Sequence, residues 1–396
     1  MSNEPDLTMK VGFPRPSQPV SEPVGDPAGG YSPMRRLGGA ARGGLMLPDA
    51  APSAGTFYAP RGVWTDGTRV IVADSGNHRV LIWHTMPDTD GAPADVVLGQ
   101  PDFTSEGPAA GGRGAAKGMH IPTGITVLDD GRLIVADAWH HRLLIWNELP
   151  TASDVQADFV LGQPDFTSTT ENSGIGPTNK TFWWPFGTAL INGTFWVADT
   201  GNRRVLGWSG GVPEPGIGAD IVLGQNGFES REENRGGAVG PNTFRWPHHV
   251  AGDADTLWVA DAGDHRVVAY SPAPSADRDF DALLGQLDFA SSTEFPYGAQ
   301  GNDKLRFPYA LAYDNGRLAV ADTSNNRVLL WDNAPRHGIG PGADHVIGQP
   351  DFAGNGENQW KSLTDHTLCW PYGLHLSGDL LAIADSGNNR VMLWQR

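Results

Sequence analysis

Residues 72–80 read Val-Ala-Asp-Ser-Gly-Asn-His-Arg-Val, and the Asp and Arg of this stretch recur, five residues apart, six times along the 396-residue chain. Successive aspartates are 61 to 63 residues apart. A fixed period of this length indicates one supersecondary unit that stacks on copies of itself. The six pairs are Asp74/Arg79, Asp137/Arg142, Asp199/Arg204, Asp261/Arg266, Asp322/Arg327 and Asp385/Arg390.

Each repeat has the same internal order. A leading proline is followed by two short apolar runs joined by a turn, then by the Asp–Arg turn and a third run ending in an aromatic residue. A fourth run ends in a Leu-Gly-Gln-like stretch, as at residues 98–100. Such runs, separated by Gly, Asn and Asp, are typical of antiparallel strands joined by hairpins. Four strands in each of six repeats predict an all-β, six-bladed β-propeller. The leading prolines are Pro60, Pro122, Pro185, Pro247, Pro308 and Pro371.

The two ends of the chain indicate how the ring closes. The sixth repeat stops at Arg396, just after its third strand, whereas residues 35–39 read Arg-Arg-Leu-Gly-Gly and resemble a fourth strand. We therefore expect residues 35–39 to complete the last blade, which leaves no open sheet edge between the first and last blades. The propeller is predicted to span residues 35–396. Residues 1–34, rich in Pro and Gly, are predicted to form a flexible tail or a strap along the propeller.

The repeated Asp–Arg pairs are predicted to be structural, because a catalytic site is rarely needed six times. We expect each aspartate to cap amides of its turn and each arginine to meet a carboxylate with both prongs of its guanidinium. Five glutamines follow the fourth runs and are expected to bond backbone at blade junctions. They are Gln100, Gln163, Gln225, Gln286 and Gln349.

Residues 72–80 resemble an NHL repeat, including its Asn-His dipeptide, and the turns at 199–204 and 385–390 are similar. The resemblance covers roughly residues 35–396 and implies a six-bladed propeller. It does not imply one activity, because NHL propellers include protein- and RNA-interaction modules as well as amidating lyases.

Bulk properties narrow the function. The net charge of −17 and the lack of a Lys/Arg block argue against a nucleic-acid partner. No run approaches the ~18 apolar residues of a membrane span, and the first residues lack the apolar core of a secretory signal. Cys369 is the single cysteine, so no intrachain disulfide can form. Together these features predict a soluble, cytoplasmic protein that does not contact a membrane.

Long loops are the main departure from a minimal propeller. All five join the outer strand of one blade to the inner strand of the next, so all five are predicted to cap the same face. Most contain a Phe near their start that we expect to anchor the loop base, at positions 103, 166, 289 and 352. The loops are residues 101–121, 164–184, 226–246, 287–307 and 350–370.

Residues next to the leading prolines are expected near the capped mouth of the channel. Their aromatic and arginine side chains are the types that dominate binding hot spots. The favoured function is a non-enzymatic binding scaffold or accessory protein that engages a protein partner there. Arg61, Arg245 and Arg306 with the aromatics also allow a pocket for a small anionic ligand. The candidate residues are Arg61, Trp183, Trp184, Phe186, Arg245, Trp246, His248, Arg306, Tyr309, Trp370 and Tyr372.

The alternative function is a metal-dependent lyase or hydrolase at the same mouth. The resemblance to amidating lyases implies a zinc held by histidines that follow the leading prolines, but here only His248 stands at such a position. A single divalent metal would then need His120, His249 or His375 as further ligands. Tyr309 or Tyr372 would serve as the acid or base.

Overall fold

A computed structural model of the chain describes residues 26–39, 51–294 and 300–396. In these residues the chain forms six antiparallel sheets arranged as the blades of a propeller, which confirms the predicted fold class. The blades follow the six repeats in order, so blade 1 contains the first Asp–Arg pair and blade 6 the last. The inner strands are Gly62–Thr65, Pro122–Val127, Pro185–Ile191, Pro247–Asp253, Pro308–Asp314 and Pro371–Ser377.

The other strands follow in register outward from the channel. The second strands are Val70–Asp74, Leu133–Asp137, Thr194–Asp199, Thr256–Asp261, Arg317–Asp322 and Leu380–Asp385. The third strands are Arg79–Trp83, Arg142–Trp146, Arg204–Trp208, Arg266–Tyr270, Arg327–Trp331 and Arg390–Gln395. The outer strands of blades 1 to 5 are Val96–Leu98, Phe159–Leu161, Ile221–Leu223, Ala282–Leu284 and His345–Ile347. In blade 4, the short strand Gly338–Ile339 adds in parallel outside Ala282–Leu284.

Helical structure in the described residues is limited to single turns. Each second strand is joined to its third strand by a 3₁₀ turn: Ser75–Asn77, Ala138–His140, Thr200–Asn202, Ala262–Asp264, Thr323–Asn325 or Ser386–Asn388. The long loops contain the short helical segment Pro108–Gly112 and the 3₁₀ segments Glu171–Gly174, Glu233–Gly236 and Glu357–Trp360.

The sixth blade is completed by the N-terminal part of the chain. Strand Ser32–Gly38 pairs antiparallel with Arg390–Gln395, and so takes the place of an outer strand. It begins three residues before the predicted start at Arg35. Most of the predicted tail, residues 1–25, lies outside the described residues.

The hydrophobic core is divided among the blade interfaces. Six buried clusters each contain side chains from two neighbouring blades, and one of them joins blade 6 to blade 1 through Leu37, Val63 and Leu393. Burial of apolar side chains between adjacent repeats is how repeat proteins obtain a continuous core. The short apolar runs of the sequence supply both faces of the sheets, since strands such as Val70–Asp74 and Arg79–Trp83 are buried at every position.

A buried Asp–Arg lock fixes the turn in all six blades. In blade 1, Arg79 Nε lies 2.7 Å from Asp74 Oδ2, and both side chains are fully buried. The other Asp74 oxygen accepts the backbone N–H of Tyr58 at 2.7 Å, and the equivalent aspartates do the same in the other blades. The predicted capping of turn amides is therefore wrong, because no turn has a side-chain cap from its aspartate.

The guanidinium of the lock holds the long loops. The predicted two-pronged contact with a carboxylate is also wrong, since Nη1 of Arg79 instead donates to the carbonyl of Phe103 at 2.6 Å. Nη2 donates to two carbonyls of the preceding segment, those of Ser53 and Thr56. Blades 2 to 5 repeat this pattern with the carbonyls of Phe166, Phe228, Phe289 and Phe352. Each of these arginines thus ties the loop before its blade to the loop after it.

Candidate functional site

The leading prolines and the long loops lie at one end of the channel. The 3₁₀ turns lie there too, since the Gly76 N–H donates to the Tyr58 carbonyl at 2.8 Å and the Gly201 N–H to the Trp183 carbonyl at 2.7 Å. We call this end of the propeller the loop face. The hairpins that join inner to second strands, such as residues 192–193, lie at the opposite end.

The six residues that follow the leading prolines converge on the channel axis. The rings of Phe186 and His248 are 4.1 Å apart, those of His248 and Tyr309 are 4.4 Å apart, and those of Tyr309 and Tyr372 are 4.6 Å apart. Thr123 is buried and completes the ring together with Arg61. The side chains predicted to stand near the mouth therefore meet there. We call Arg61, Thr123, Phe186, His248, Tyr309 and Tyr372 the mouth ring.

Burial sets the protonation of the mouth ring. Desolvation, with smaller contributions from Arg61 and His249, lowers the pKa of His248 to about 3, so its imidazole is neutral. Burial raises the pKa of Tyr309 and of Tyr372 above that of an ordinary tyrosine, although Arg61 acts in the opposite direction on both. The mouth ring at neutral pH therefore carries one charge, that of Arg61.

A rim of aromatic side chains surrounds the mouth ring. Trp139 packs against Trp184 with centroids 5.6 Å apart and against Phe186 at 6.2 Å, while Trp246 stacks on Phe307 at 6.1 Å. Trp370 is 54% exposed. Three arginines lie over indole rings of the rim: Arg203 and Arg231 over Trp183, and Arg245 over Trp246. Such cation–π contacts hold the rings in place.

The backbone before the leading prolines has an unusual conformation. Five of the six preceding residues have φ between 47° and 52°, in the left-handed region that side chains other than glycine rarely adopt. They are Ala59, Ile121, Trp184, Phe307 and Trp370. In each, the N–H donates to a side chain of the previous blade, for example from Trp184 to His141 Nδ1 at 3.2 Å. Hydrogen bonds between blades therefore hold the rim side chains in a strained backbone.

Two of the predicted anion-binding arginines already have acidic partners. Arg306 Nε lies 2.7 Å from Glu294, and Arg245 Nε lies 3.3 Å from Glu233. Both glutamates come from the long loops. The predicted group of three arginines is thus reduced to Arg61, which has no ion pair or side-chain hydrogen bond among the described residues.

The four histidines proposed as metal ligands are dispersed. His120 packs between His78 and His140 at the junction of blades 1 and 2, whereas the ring of His248 contacts Phe186, Tyr309 and Tyr372. His249 lines both the recess at the mouth ring and the opposite half of the channel, whereas His375 lines that opposite half. In the part of the chain that the structure describes, no three His, Cys, Asp or Glu side chains are grouped as a metal site.

Some residues of the loop face were not among the sequence candidates. Trp139 contacts both the rim and Arg61, and it occupies a turn position that is glycine in four of the repeats. That departure from the repeat was a usable signal. Arg231 and Glu233 lie in a loop, where no periodic pattern could reveal their contacts with the rim.

Comparison with known proteins supports the predicted resemblance. The family description "NHL repeat" matches residues 119–146. NHL repeat-containing protein 2 of Gallus gallus is 25% identical over 383 residues, covering 88% of this chain and 47% of its own length. The human protein of the same name is 26% identical over 292 residues, covering 66% and 36%. The chain thus spans less than half the length of these relatives.

The fold is also found among solved structures. A structural genomics protein of unknown function from Bacteroides thetaiotaomicron VPI-5482 aligns with a TM-score of 0.50 and 12% identity, covering 92% of this chain and 75% of its own. Within the described ranges, the chain has no helix of the length and apolarity that a bilayer crossing requires. The resemblance predicted from the repeat motif is therefore confirmed: the chain folds as a six-bladed propeller, and its residues 119–146 match the NHL repeat.

Proposed function

We propose that this propeller is a non-enzymatic binding scaffold or accessory protein that engages a protein partner through its loop face. The observation that carries the proposal is the location of its exposed aromatic side chains. Trp360, Tyr58 and Trp370 are 77%, 60% and 54% exposed, and all three lie on the loop face. Among the described residues, the remaining exposed large hydrophobics are aliphatic. Exposed aromatic surface of this kind is typical of protein-binding sites.

The construction of the rim supports the same proposal. The indoles of Trp183 and Trp246 are covered by arginines, and Trp184 is fixed by its hydrogen bond to the previous blade. Aromatic side chains that are ordered before binding lose little conformational entropy when a partner arrives. Trp and Arg are also the residue types most enriched at interface hot spots.

The test is partner binding by a variant that removes exposed rings without touching the core. Trp360→Ala with Trp370→Ala is expected to weaken the binding of a partner, captured with the wild-type chain, identified and then purified, by at least about tenfold, since hot-spot truncations cost about 2 kcal/mol or more. Leu190→Ala, an exposed position at the opposite end of the channel, is the control and is expected to bind as wild type. If the folded double variant binds its partner with unchanged affinity by calorimetry, the proposal fails.

The metal-dependent lyase or hydrolase centred on His248 has less support. His248 and His249 line the same recess, but no third ligand joins them in the described residues, and the ring of His248 is stacked between Phe186 and Tyr309. Elemental analysis of protein purified without chelator distinguishes the two functions. Near-stoichiometric metal that is lost in His248→Ala would favour the enzyme.

We also propose a cytoplasmic location. The buried Cys369, the single cysteine of the sequence, fits a reducing compartment, because small secreted domains commonly rely on disulfide pairs. Protease protection in fractionated cells tests this location directly.

A further inference from the structure

Two arginines around the mouth of the channel, Arg61 and Arg231, have no acidic partner among the described residues, and of the two Arg231 is exposed whereas Arg61 is half-buried. Arg203 and Arg245 lie near Glu233, and Arg306 pairs with Glu294. The Arg61 guanidinium instead lies 4.8 Å from the ring centre of Tyr372 and 5.9 Å from that of Trp139, without an acidic partner among the described residues. Burial removes part of the hydration of the Arg61 guanidinium, and the faces of these two rings are the contacts that replace it.

The cavity beside Arg61 has the polarity of an anion site. Mouth-ring side chains and the residues just below them enclose a recess of about 20 Å³, lined by no aspartate or glutamate. Its polar side chains are the Arg61 guanidinium, the neutral histidines His248 and His249, Thr123 and the two tyrosines. Within the described residues, the hydroxyls of Tyr309 and Tyr372 have no hydrogen-bond partner. Arginine and tyrosine hydroxyls are hydrogen-bond donors to an anion.

The size of the recess limits what enters it. A volume of about 20 Å³ holds one water-sized group. One oxygen of a carboxylate fits this space, whereas an aromatic ring exceeds it. The apolar rim around the recess suits the carbon chain that carries such a carboxylate.

We infer that Arg61 receives one carboxylate of the protein partner, with the hydroxyls of Tyr309 and Tyr372 as further donors, and that this contact sets the register of the partner on the loop face. The inference rests on the proposed function. A hydrogen bond from a guanidinium to a carboxylate oxygen is charge-assisted, so it gives both affinity and orientation.

Two sources of the carboxylate are distinguished by small probes. N-acetyl-leucine carries a terminal carboxylate, N-acetyl-glutamic acid α-amide carries a side-chain carboxylate, and N-acetyl-leucinamide carries neither. Titrations followed by tryptophan fluorescence are expected to show saturable binding of at least one acid and none of the amide. The acid that binds identifies the source. If both acids fail to bind, or the amide binds as well as they do, the inference is wrong.

Variants of the arginines supply the matched control. Arg61→Gln is expected to weaken binding of the acid by roughly tenfold or more, because a hydrogen bond to a charged group contributes that much. Arg245→Gln removes an arginine of the same face that already has Glu233 as its partner, and it is expected to bind the acid as wild type. Equal losses in the two variants would show a general effect of charge and would overturn the assignment to Arg61.

The purified partner separates this inference from the proposed function. Loss of the partner in the Trp360→Ala, Trp370→Ala variant with full binding by Arg61→Gln would leave the scaffold function standing and refute the carboxylate contact. Full binding by the tryptophan variant would refute the proposed function itself. Loss in both variants, with a smaller loss for Arg61→Lys than for Arg61→Gln, is the expected result.

Discussion

Blade 4 and the other five blades share the same lock but differ around it. The buried Asp–Arg pair, at 2.6 to 3.0 Å, is present in all six. In five blades an Asn or His two residues before the arginine also contacts the aspartate, as Asn77 does with Asp74 at 2.9 Å. Blade 4 has Asp264 there, and its Oδ2 has no hydrogen-bond partner, although Arg266 Nη2 lies 3.6 Å away. Burial and the nearby Asp261 raise the pKa of Asp264 to about 7.

The junction that leads into blade 4 differs as well. At the other five junctions, a His or Asn just before the lock arginine accepts the N–H of the residue before the next leading proline. Arg203 occupies this position in blade 3 and has no acceptor atom. The Trp246 N–H therefore turns to Asp261 of its own blade, and Trp246 alone of the six lacks a positive φ. A hydrogen bond from the Thr200 hydroxyl to the Pro247 carbonyl still joins these two blades.

Blade 4 shows that the fold accommodates a changed residue beside the lock and a missing hydrogen bond at one junction, as long as the Asp–Arg pair and the apolar interface remain. Each blade contacts only its neighbours, so a missing hydrogen bond at one junction is not transmitted around the ring. The exceptions coincide with His248 and His249, the only histidines next to a leading proline on its C-terminal side. His249 replaces a glycine found in four of the blades, and it packs against Gly187, where an added Cβ would lie 2.8 Å from the imidazole.

The largest effect is expected from breaking the lock. Arg204→Met in blade 3 leaves Asp199 buried without its cation and should lower the free energy of unfolding by about 3–5 kcal/mol. Its neighbour Arg203 is partly exposed, and Arg203→Met should cost less than about 1 kcal/mol. Chemical denaturation followed by fluorescence measures both. Equal losses in the two variants would show that the lock is not the dominant interaction.

Replacing Asp264 by the Asn found at the same position in other blades should stabilise the protein. Asp264→Asn supplies a donor to Asp261 and should add about 1–3 kcal/mol to the free energy of unfolding at pH 8. The folded-state pKa of Asp264 is raised from the ordinary 3.8 to about 7, so the wild type loses stability as pH rises through this window. The gain from Asn should therefore shrink below pH 7.

The reverse change in blade 5 is the matched control. Asn325→Asp places a second carboxylate beside Asp322 and should destabilise the chain at pH 8, with partial recovery on acidification. A pH-independent effect in both variants would contradict the role given to the paired carboxylates.

The next effect is expected at one of the five junctions where a His or Asn accepts the N–H of the residue before the next leading proline. His141→Ala leaves the Trp184 N–H without an acceptor and should cost about 1–3 kcal/mol, whereas His141→Asn, which retains an acceptor, should cost less than half of that. Burial, with the nearby His140 next, lowers the pKa of His141 to about 4. The stabilising contribution of the neutral imidazole is present above pH 6.5 and is lost as pH falls toward 4. Unfolding of His141→Asn should depend less on pH over that range.

The smallest effect is expected from adding the hydrogen bond that the junction of blades 3 and 4 lacks. Arg203→Asn offers Trp246 an acceptor like those at the other junctions, worth about 0.5–1.5 kcal/mol. Adoption of the left-handed backbone costs about 1–2 kcal/mol for a residue other than glycine. The two terms nearly cancel, so the unfolding free energy should change by less than about 1 kcal/mol. A gain above about 2 kcal/mol would contradict this cost of the left-handed backbone at the residue before the leading proline.

Much of the fold could be predicted because it depends on local pattern. The period of Asp74 and its equivalents gave six blades, and the runs between them gave four strands each. The turn chemistry was predicted less well. The aspartate bonds the backbone before the leading proline rather than its own turn, and the arginine bonds loop carbonyls. Those partners are between 16 and 27 residues away, beyond any short-range rule.

The candidate site was predicted in composition but not in contacts. Residues next to the leading prolines do meet at the channel, because equivalent positions of the six repeats converge on its axis. The loops do not repeat closely, so the pairing of Arg245 with Glu233 and of Arg306 with Glu294 could not be foreseen. The same applies to the position of Trp139 beside Arg61.

By itself, then, the sequence determined the number of blades, the class of every strand and the face that carries the loops, because periodicity and turn residues act within a repeat. Only the tertiary structure decided which side chains from different blades share a space. Closure of the ring brings Arg61 of the first blade over Tyr372 of the last, while the glutamates of two loops neutralise its fellow arginines. The unpaired positive charge of Arg61 at the mouth is therefore a result of packing between blades that are distant in the sequence.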